Sequence, residues 1–285
     1  MKLGFYEYQT GNVGDDLNPF LWTKLIPNLV NEDQSTIFVG IGSIFDTRYD
    51  AYSKKIVFGA GARSAEQLPK VDDTWDIKFV RGPLTSKSLQ DRGVAANYIT
   101  DPGILVSNFF LKPKTVKGKI GLIPYYLTEH EPWHHISKLL GYTLISPTLS
   151  VEDFVLQVGE CELVVTEAMH GSIIADAMRV PWIPYSSSTM LHENQTHNFK
   201  WTDWCSSMEL EFEDFILPRF WSVSNASAFS KFKQCLRKLF VCNRIAKRVK
   251  YGKRYLSHDA VFADKIRLLK HEIEVIKDTV DSSAG

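Results

Sequence analysis

Residues 162–186 carry the stretch ELVVTEAMHGSIIADAMRVPWIPYS, which decides the fold class. Its apolar runs LVVT and VPWIPYS have the length of buried strands, and SIIADAMR between them has the length of a short helix. Neither run alternates strictly between apolar and polar residues, which is typical of parallel strands covered on both faces. The stretch therefore predicts a strand–helix–strand unit of an α/β protein.

The same pattern recurs along the chain in two series. Before residue 111, a helix is predicted over 19–30, with Asp16 or Asn18 as its cap, and another over 83–93. The strands predicted for this first series are 2–8, 36–42, 54–62, 76–82 and 97–106. The polar stretch LKPKTVKGK (111–119) is the predicted linker, after which the alternation restarts.

Two such series predict two Rossmann-like domains with an interdomain cleft, followed by C-terminal helices. We expect domains at 1–112 and 113–225 and a helical extension at 226–285. In the last helix, the spacing of Phe262, Ile266, Leu269, Ile273, Ile276 and Val280 predicts a packing stripe or an oligomer contact.

The composition of the chain excludes several classes of protein. The chain has 285 residues, of which 44% are hydrophobic, so wholesale disorder is excluded. Thirty-three basic residues balance thirty-three acidic ones, which excludes a polyelectrolyte binder. None of the four cysteines forms a CxxC pair, so neither a disulfide framework nor a thiolate zinc site is expected. Without a signal-peptide pattern or an apolar span, we expect a cytoplasmic protein.

The even charge balance hides a basic segment at residues 228–258. This segment contains ten Lys and Arg residues and no Asp or Glu, and aromatic and aliphatic residues lie between the cations. That mixture suits a helix lying on an anionic membrane surface. A solvated basic face on a packing helix explains it equally well, and nucleic-acid binding is the poorer choice because no nucleic-acid module accompanies it.

The candidate ligand-binding and catalytic residues lie at the ends of predicted strands, because ligands of α/β proteins bind at the carboxyl ends of strands. The loop GNVGDD (11–16) offers two aspartates that receive sugar hydroxyls or cap a helix. Arg63 and Arg81 each follow an apolar run, where a guanidinium can hold a carboxylate or phosphate. His170 precedes a helix whose first residues, Gly171 and Ser172, predict an anion site.

Four motifs, in this order, resemble the polysaccharide pyruvyl transferase family. They are GNVGDDLNPFLW, VRGPLTSKSLQDRG followed by DPGIL, EAMHGSIIADAMRVPWI, and HNFKWTDWCSSMEL, within about residues 3–210. The last pair is most similar to the bacterial ketal-pyruvate transferases of xanthan and succinoglycan synthesis. The resemblance implies a GT-B-like fold and transfer of pyruvate from phosphoenolpyruvate (PEP) to two hydroxyls of a sugar. It implies a lipid-linked oligosaccharide acceptor, and PEP is a substrate rather than a cofactor.

The resemblance also implies roles for particular residues. His170 would be the catalytic acid, and Asp15 or Asp101 would accept the hydroxyl protons, with no metal required. Some members have Arg-Leu-His where this chain has Ala168-Met169-His170, so another cation would replace that arginine. The predicted PEP-binding residues are Arg81, Gly171, Ser172, Arg63 and Lys200, and the predicted acceptor-binding residues are Asn12, Gly14 and Asp16.

Two other functions stay open at this point. A GT-B glycosyltransferase that uses a nucleotide sugar would need an acid for the ribose hydroxyls, for which Glu167 and Asp176 are placed best. A non-catalytic sugar- or phosphate-binding protein would use the same strand ends. If the chain acts on lipid-linked repeat units, its basic segment predicts a peripheral site on the inner membrane face.

Overall fold

The structure is a computed structural model and describes residues 1–129, 131–187, 194–218 and 228–282. The chain divides into two compact units. Unit 1 comprises Met1–Phe110, Gln195–Phe212 and Ser257–Gly285, and unit 2 comprises Leu111–Asn194 and Glu213–Leu256. Both are built from parallel sheets and helices, which confirms the predicted α/β class.

Unit 1 contains a four-stranded parallel sheet whose strands follow one another in chain order, β1-β2-β3-β4. These strands are β1 (Lys2–Gly4), β2 (Thr36–Val39), β3 (Lys54–Phe58) and β4 (Trp75–Phe79). The helices of the unit are α1 (Val13–Leu25), α2 (Pro83–Gln90), α6 (Asn194–Ser207) and α8 (Asp259–Ser282). All of β2 and nearly all of β3 are buried, as strands covered on both faces must be.

Unit 2 contains a second parallel sheet with the strand order β6-β5-β7-β8. Its strands are β5 (Ile120–Ile123), β6 (Thr143–Leu144), β7 (Leu163–Thr166) and β8 (Trp182–Pro184), and a separate parallel pair joins β9 (Ser186–Ser187) to β10 (Ile216–Leu217). Its helices are α3 (Glu131–Leu140), α4 (Val151–Gly159), α5 (Met169–Ala177) and α7 (Ala228–Tyr251). The order reverses between β5 and β7, which creates a crevice at their carboxyl ends.

The two units differ from the predicted domains 1–112, 113–225 and 226–285. Residues 195–212 and 257–285 belong to unit 1, because α6 buries Trp201 and Trp204 there and α8 packs on the 3₁₀ helix at Pro102–Asn108. α7 belongs to unit 2, where Val241 and Ile245 join its apolar core. The predicted boundary between residues 225 and 226 lies outside the described residues.

Two local predictions need correction. α1 begins at Val13 rather than at residue 19, because the side chain of Asn12 accepts a hydrogen bond from the Gly14 N–H and caps the helix. No strand forms over 97–106; Asp101 caps a 3₁₀ helix that starts at Pro102, a residue that cannot donate to a strand ladder. A single bridge between Val80 and Tyr98 is the strand-like pairing found there.

The predicted stripe on the last helix is a packing surface. Leu269, Ile273, Ile276 and Val280 are buried in unit 1. Among the described helices, none combines the length and the apolar character that a membrane crossing requires.

The substitution Leu269→Ala should lower the free energy of unfolding by about 2–5 kcal/mol, because it leaves a cavity under α8. Val275→Ala on the same helix is the matched control, since Val275 is 46% exposed, and should cost less than about 0.5 kcal/mol. Urea titration followed by tryptophan fluorescence measures both. Equal effects of the two substitutions would contradict the packing of α8 in unit 1.

Candidate functional site

The N-terminus of α1 holds the three residues predicted to bind the acceptor. Asn12 is the cap, and its N–H donates to Asp16 Oδ2 at 3.1 Å. Its side-chain amide donates to Asp15, and Gly14 is buried in the first turn. Asn12 and Asp16 thus hold this helix end together, and their predicted role in binding the acceptor, with Gly14, stays a prediction.

Asp15 has the properties of a proton acceptor. Burial raises its pKa to about 6, although hydrogen bonds from the Asn12 side chain and the Tyr6 backbone and the charge of Arg48 lower it. Asp16 also has a raised pKa because of its burial. A carboxylate with a pKa near 6 is ionised at pH 7 and accepts a proton more readily than an ordinary aspartate.

A cavity of about 640 Å³ opens at the carboxyl ends of β1, β2 and β3. Tyr6, Arg48 and Arg63 line it, with Asp46 and Glu66. The Arg48 guanidinium lies 3.8 Å from the centre of the Tyr6 ring and is held by Asp46 through Nε at 2.7 Å. The cavity thus brings two guanidinium groups and two carboxylates together with an aromatic ring, a set of groups that can contact the anionic group and the hydroxyls of a ligand.

Arg81 lies between β4 and α2, where the sequence predicted it, but its side chain points into the protein. Its side chain is fully buried, so it is a structural residue here and not a ligand of PEP. Its Nε donates to Asp203 Oδ2 at 3.1 Å, Nη1 to Ser43 Oγ at 2.7 Å, and Nη2 to the Ala62 carbonyl at 3.2 Å. These contacts tie the ends of three strands to α6.

Asp203 completes this internal cluster. Its Oδ1 accepts the Thr85 N–H at 2.9 Å and its Oδ2 accepts the Thr85 hydroxyl at 2.8 Å, so the carboxylate also binds the first turn of α2. Two glycines make room for the ion pair: a Cβ on Gly61 would overlap the Arg81 guanidinium, and one on Gly82 would overlap the Asp203 backbone. The glycines at these strand ends therefore serve a buried ion pair.

Asp101 is also internal. It is fully buried, and its Oδ1 accepts the Gly103 N–H at 2.9 Å, which caps the 3₁₀ helix. A carboxylate in this position has no access to a hydroxyl of a sugar, so its predicted role as a catalytic base is corrected to a structural one. Of the predicted cations, Arg63 lines the cavity and Lys200 lies half-buried on α6.

In unit 2, His170 lies in the first turn of α5, directly beyond β7 and beside the reversal in strand order. The side chain is half-buried. The predicted anion donors are engaged within the helix: the N–H groups of Gly171 and Ser172 donate to the Ala168 carbonyl, and the Ser172 hydroxyl donates to the Met169 carbonyl. The roles of Gly171 and Ser172 in binding PEP stay predictions, and His170 is the residue of this motif with a reactive side chain at the strand end.

Glu167 holds the crevice beside His170 together. Its carboxylate accepts the Ser187 N–H at 2.6 Å, the Thr128 hydroxyl at 2.7 Å and the Tyr125 N–H at 3.2 Å. Burial, and then the charge of Glu167, raise the pKa of Tyr185 well above its usual value. The carboxylate thus fastens the segments that follow β5, β7 and β8.

The two acids that a nucleotide-sugar site would use are both committed to internal contacts. Asp176 is fully buried and accepts from Arg179 Nη1 at 3.1 Å and Trp182 Nε1 at 3.2 Å. Glu167 is held as described above. Neither carboxylate is placed to receive the hydroxyls of a ribose, which weakens the glycosyltransferase alternative.

The polysaccharide pyruvyl transferase model matches residues 4–189, well over half of the chain. The chain belongs to this family. The matched region includes Asp15, Arg63, Arg81 and His170 and ends before α6, so Lys200 lies beyond it. This confirms the resemblance that the sequence motifs predicted.

A protein named for its part in succinoglycan biosynthesis is also similar to this chain. The chain is 33% identical over 225 residues to the succinoglycan biosynthesis protein ExoV of Rhizobium meliloti (strain 1021). The aligned region covers 76% of this chain and 68% of the relative. The two chains are therefore similar over most of their lengths.

Three residues of this site were missed at the sequence level. Tyr6 and Arg48 line the cavity, and Asp203 neutralises Arg81 from a segment 122 positions further along the chain. The one signal for Asp203 at the sequence level is the motif HNFKWTDWCSSMEL, which contains it. Tyr6 lies within the predicted strand 2–8 and Arg48 follows the predicted strand 36–42, but nothing in their spacing distinguishes them from their neighbours. Within the described residues, no three potential metal ligands come together.

We expect Asp203→Asn to destabilise the pyruvyl transferase by about 3–5 kcal/mol, because it leaves the fully buried Arg81 guanidinium without a countercharge. Asp91→Asn removes the exposed partner of Lys87 and should change stability by less than about 1 kcal/mol. Chemical denaturation measures both. The ion pair would not be structural if the Asp203 variant unfolded at the same denaturant concentration as the wild type.

Asp15→Asn should change how stability depends on pH. The folded-state pKa of about 6 lies above the ordinary value of 3.8, so folded wild-type protein keeps a proton that the unfolded chain releases. Wild-type stability should therefore fall relative to the variant as pH rises from near 4 through about 6, and the variant should melt higher at pH 7. Melting temperatures across this range test it, with the exposed Asp73→Asn as the control, and parallel curves for wild type and Asp15→Asn would contradict it.

Proposed function

We propose that this pyruvyl transferase moves the pyruvyl group of PEP onto two hydroxyls of one sugar in an exopolysaccharide repeat unit. The product is a cyclic ketal, and phosphate is released. Family membership supports polysaccharide pyruvyl transfer in general, and the donor and the ketal are the proposed details. The observation that carries the proposal is His170, half-buried beyond β7 at the reversal in strand order, within the matched region.

The chemistry of PEP explains why a histidine is needed. PEP is an enol phosphate, and its C2 becomes electrophilic once C3 has gained a proton. His170 as imidazolium donates that proton, and an anionic substrate nearby keeps the imidazole charged. A first sugar hydroxyl then adds to C2, the C2–O bond to phosphate breaks, and a second hydroxyl closes the ketal. Of the two hydroxyl protons released, one restores His170 and the other leaves with the phosphate.

Asp15 is the proposed base for the hydroxyl protons. It is ionised above about pH 6, and its raised pKa increases its basicity. Because Asp101 is buried as a helix cap, it does not share this role. Asn12 and Asp16 hold the end of α1 on which Asp15 lies, so they position the base, and with Gly14 they are the proposed residues that bind the acceptor.

Arg63 is the proposed ligand of the PEP phosphate or carboxylate, since it lines the cavity beside Arg48. Lys200 is the proposed second cation that binds the phosphate or carboxylate of PEP. Arg81 acts on this site indirectly, because its bond to the Ala62 carbonyl fixes the residue that precedes Arg63. The proposal includes a GT-B-like arrangement of the two units, a lipid-linked oligosaccharide acceptor, and a cytoplasmic location on the inner membrane face, and it includes no cofactor.

A direct assay incubates the protein with PEP and a panel of sugar acceptors and measures phosphate release and, by mass spectrometry, the pyruvate adduct. His170→Gln should lower the rate by about 10²–10⁴-fold because it removes the acid. His134→Gln, on an exposed position of α3, is the matched control and should keep the wild-type rate. A thermal-shift titration should show stabilisation by PEP and none by a nucleotide sugar.

Three outcomes would overturn the proposal. The first is an unchanged rate for His170→Gln, which would remove the histidine from the reaction. The second is stabilisation by a nucleotide sugar and not by PEP, which would favour the glycosyltransferase. The third is PEP binding with no adduct on any acceptor, which would favour the non-catalytic binding protein.

A further inference from the structure

Helix α7 presents two apolar faces, and its packing in unit 2 uses one of them. Val241, Cys242 and Ile245 are buried in the core of the unit. Phe229, Phe232, Leu236, Leu239 and Phe240 recur at steps of three and four, so they form one continuous stripe, and each is more than half exposed. A stripe of five large apolar side chains in water is an interaction surface rather than a scatter of single exposed residues.

The charges around the stripe indicate its partner. α7 contains eight Lys and Arg residues and no Asp or Glu. Lys231, Lys233 and Lys247 are exposed, and the Lys233 ammonium lies 4.4 Å from the centre of the Phe229 ring, so this cation extends from the edge of the stripe. An apolar face on a helix whose charged residues are all cations is complementary to a surface that has an apolar interior and anionic headgroups.

A groove of about 910 Å³ lies beside the stripe, lined by residues 213–218 and by Phe240, Arg244, Lys247 and Arg248 of α7. Arg248 donates through Nη1 to Glu213 at 3.2 Å. Its buried Nε and Nη2 atoms make no hydrogen bond within the described part of the chain. Arg248 is thus held on the protein side of the groove, whereas the exposed Lys247 at the same border can bind the phosphate oxygens of a lipid headgroup.

We propose that α7 lies flat on an anionic lipid bilayer, with the stripe Phe229–Phe240 inserted below the headgroups and the cations of α7 bound to lipid phosphates. The proposal stands on α7 alone and does not depend on pyruvyl transfer. It goes beyond the sequence-level expectation for residues 228–258, because the structure separates a lipid-facing stripe from the packing face of the same helix.

Vesicle flotation tests the proposal with the full chain. Protein should float with phosphatidylcholine vesicles that contain about one third phosphatidylglycerol and stay at the bottom with phosphatidylcholine alone. Phe232→Ser with Leu236→Ser should lower partitioning by about 100-fold or more, since each large side chain loses its transfer into lipid. Leu111→Ser is the control, because Leu111 is 94% exposed and lies outside α7.

A second pair of variants separates charge from insertion. Lys233→Gln with Lys247→Gln should lower partitioning onto the anionic vesicles by roughly 30-fold, since each cation near such a surface contributes about a fivefold factor. Lys114→Gln with Lys117→Gln removes two exposed cations of residues 111–119 and should leave partitioning unchanged. The phosphate-release assay should stay at the wild-type rate in all these variants when a soluble acceptor is used.

Cys235 provides a readout that needs no substitution. It is exposed on α7, whereas Cys161, Cys205 and Cys242 are buried, so a thiol-reactive, environment-sensitive dye labels the edge of the stripe. Its emission should shift to shorter wavelength with anionic vesicles and not with neutral ones. The proposal would be overturned by equal flotation on both kinds of vesicle or by the absence of a dye shift. It would also be overturned by a dimer that forms without lipid and that Phe232→Ser with Leu236→Ser dissociates, because the stripe would then be a contact between copies of the chain.

Discussion

The buried pair of Arg81 and Asp203 is the interaction on which the candidate site of unit 1 depends. Removing two charges from water is costly, and the pair is tolerated because every group around it is bonded: Ser43, the Ala62 carbonyl and Thr85 complete the cluster. The chain leaves β2 and β3 at residues held by this pair, and the following segments carry Arg48 and Arg63. The position of the cavity therefore follows from an ion pair that no ligand touches.

In unit 2, one carboxylate holds the segments at the carboxyl edge of the sheet together. Glu167 accepts hydrogen bonds from three segments at the carboxyl edge of its sheet, and so it fixes the loops on either side of the reversal in strand order. His170 is the next polar residue along the chain, so it lies on a segment that the hydrogen bonds of Glu167 hold in place. In both units, buried charged side chains hold neighbouring segments together, and a less buried residue nearby has the candidate functional side chain.

Local sequence predicted the class of the fold but not the grouping of its segments. Runs such as TIFV and LVVT are strands because they are apolar apart from one β-branched threonine each, which is a property of each run alone. Assigning α6 and α8 to unit 1 requires knowing where Trp201, Trp204 and Leu269 are buried, and that is a long-range property. For the same reason, His170 and Asp15 were predictable as residues at strand ends, whereas Arg81 was mistaken for a ligand because its partner lies 122 residues away.

The discontinuous composition of unit 1 has a consequence for biosynthesis. A ribosome delivers residues 1–110 first, with Arg81 among them, and α6 and α8 much later. Until Asp203 emerges, the nascent sheet has no countercharge for that guanidinium, so unit 1 cannot reach its final packing early in translation. Residues 1–110 are thus synthesised before α6 and α8 and reach their final packing only after both helices have emerged.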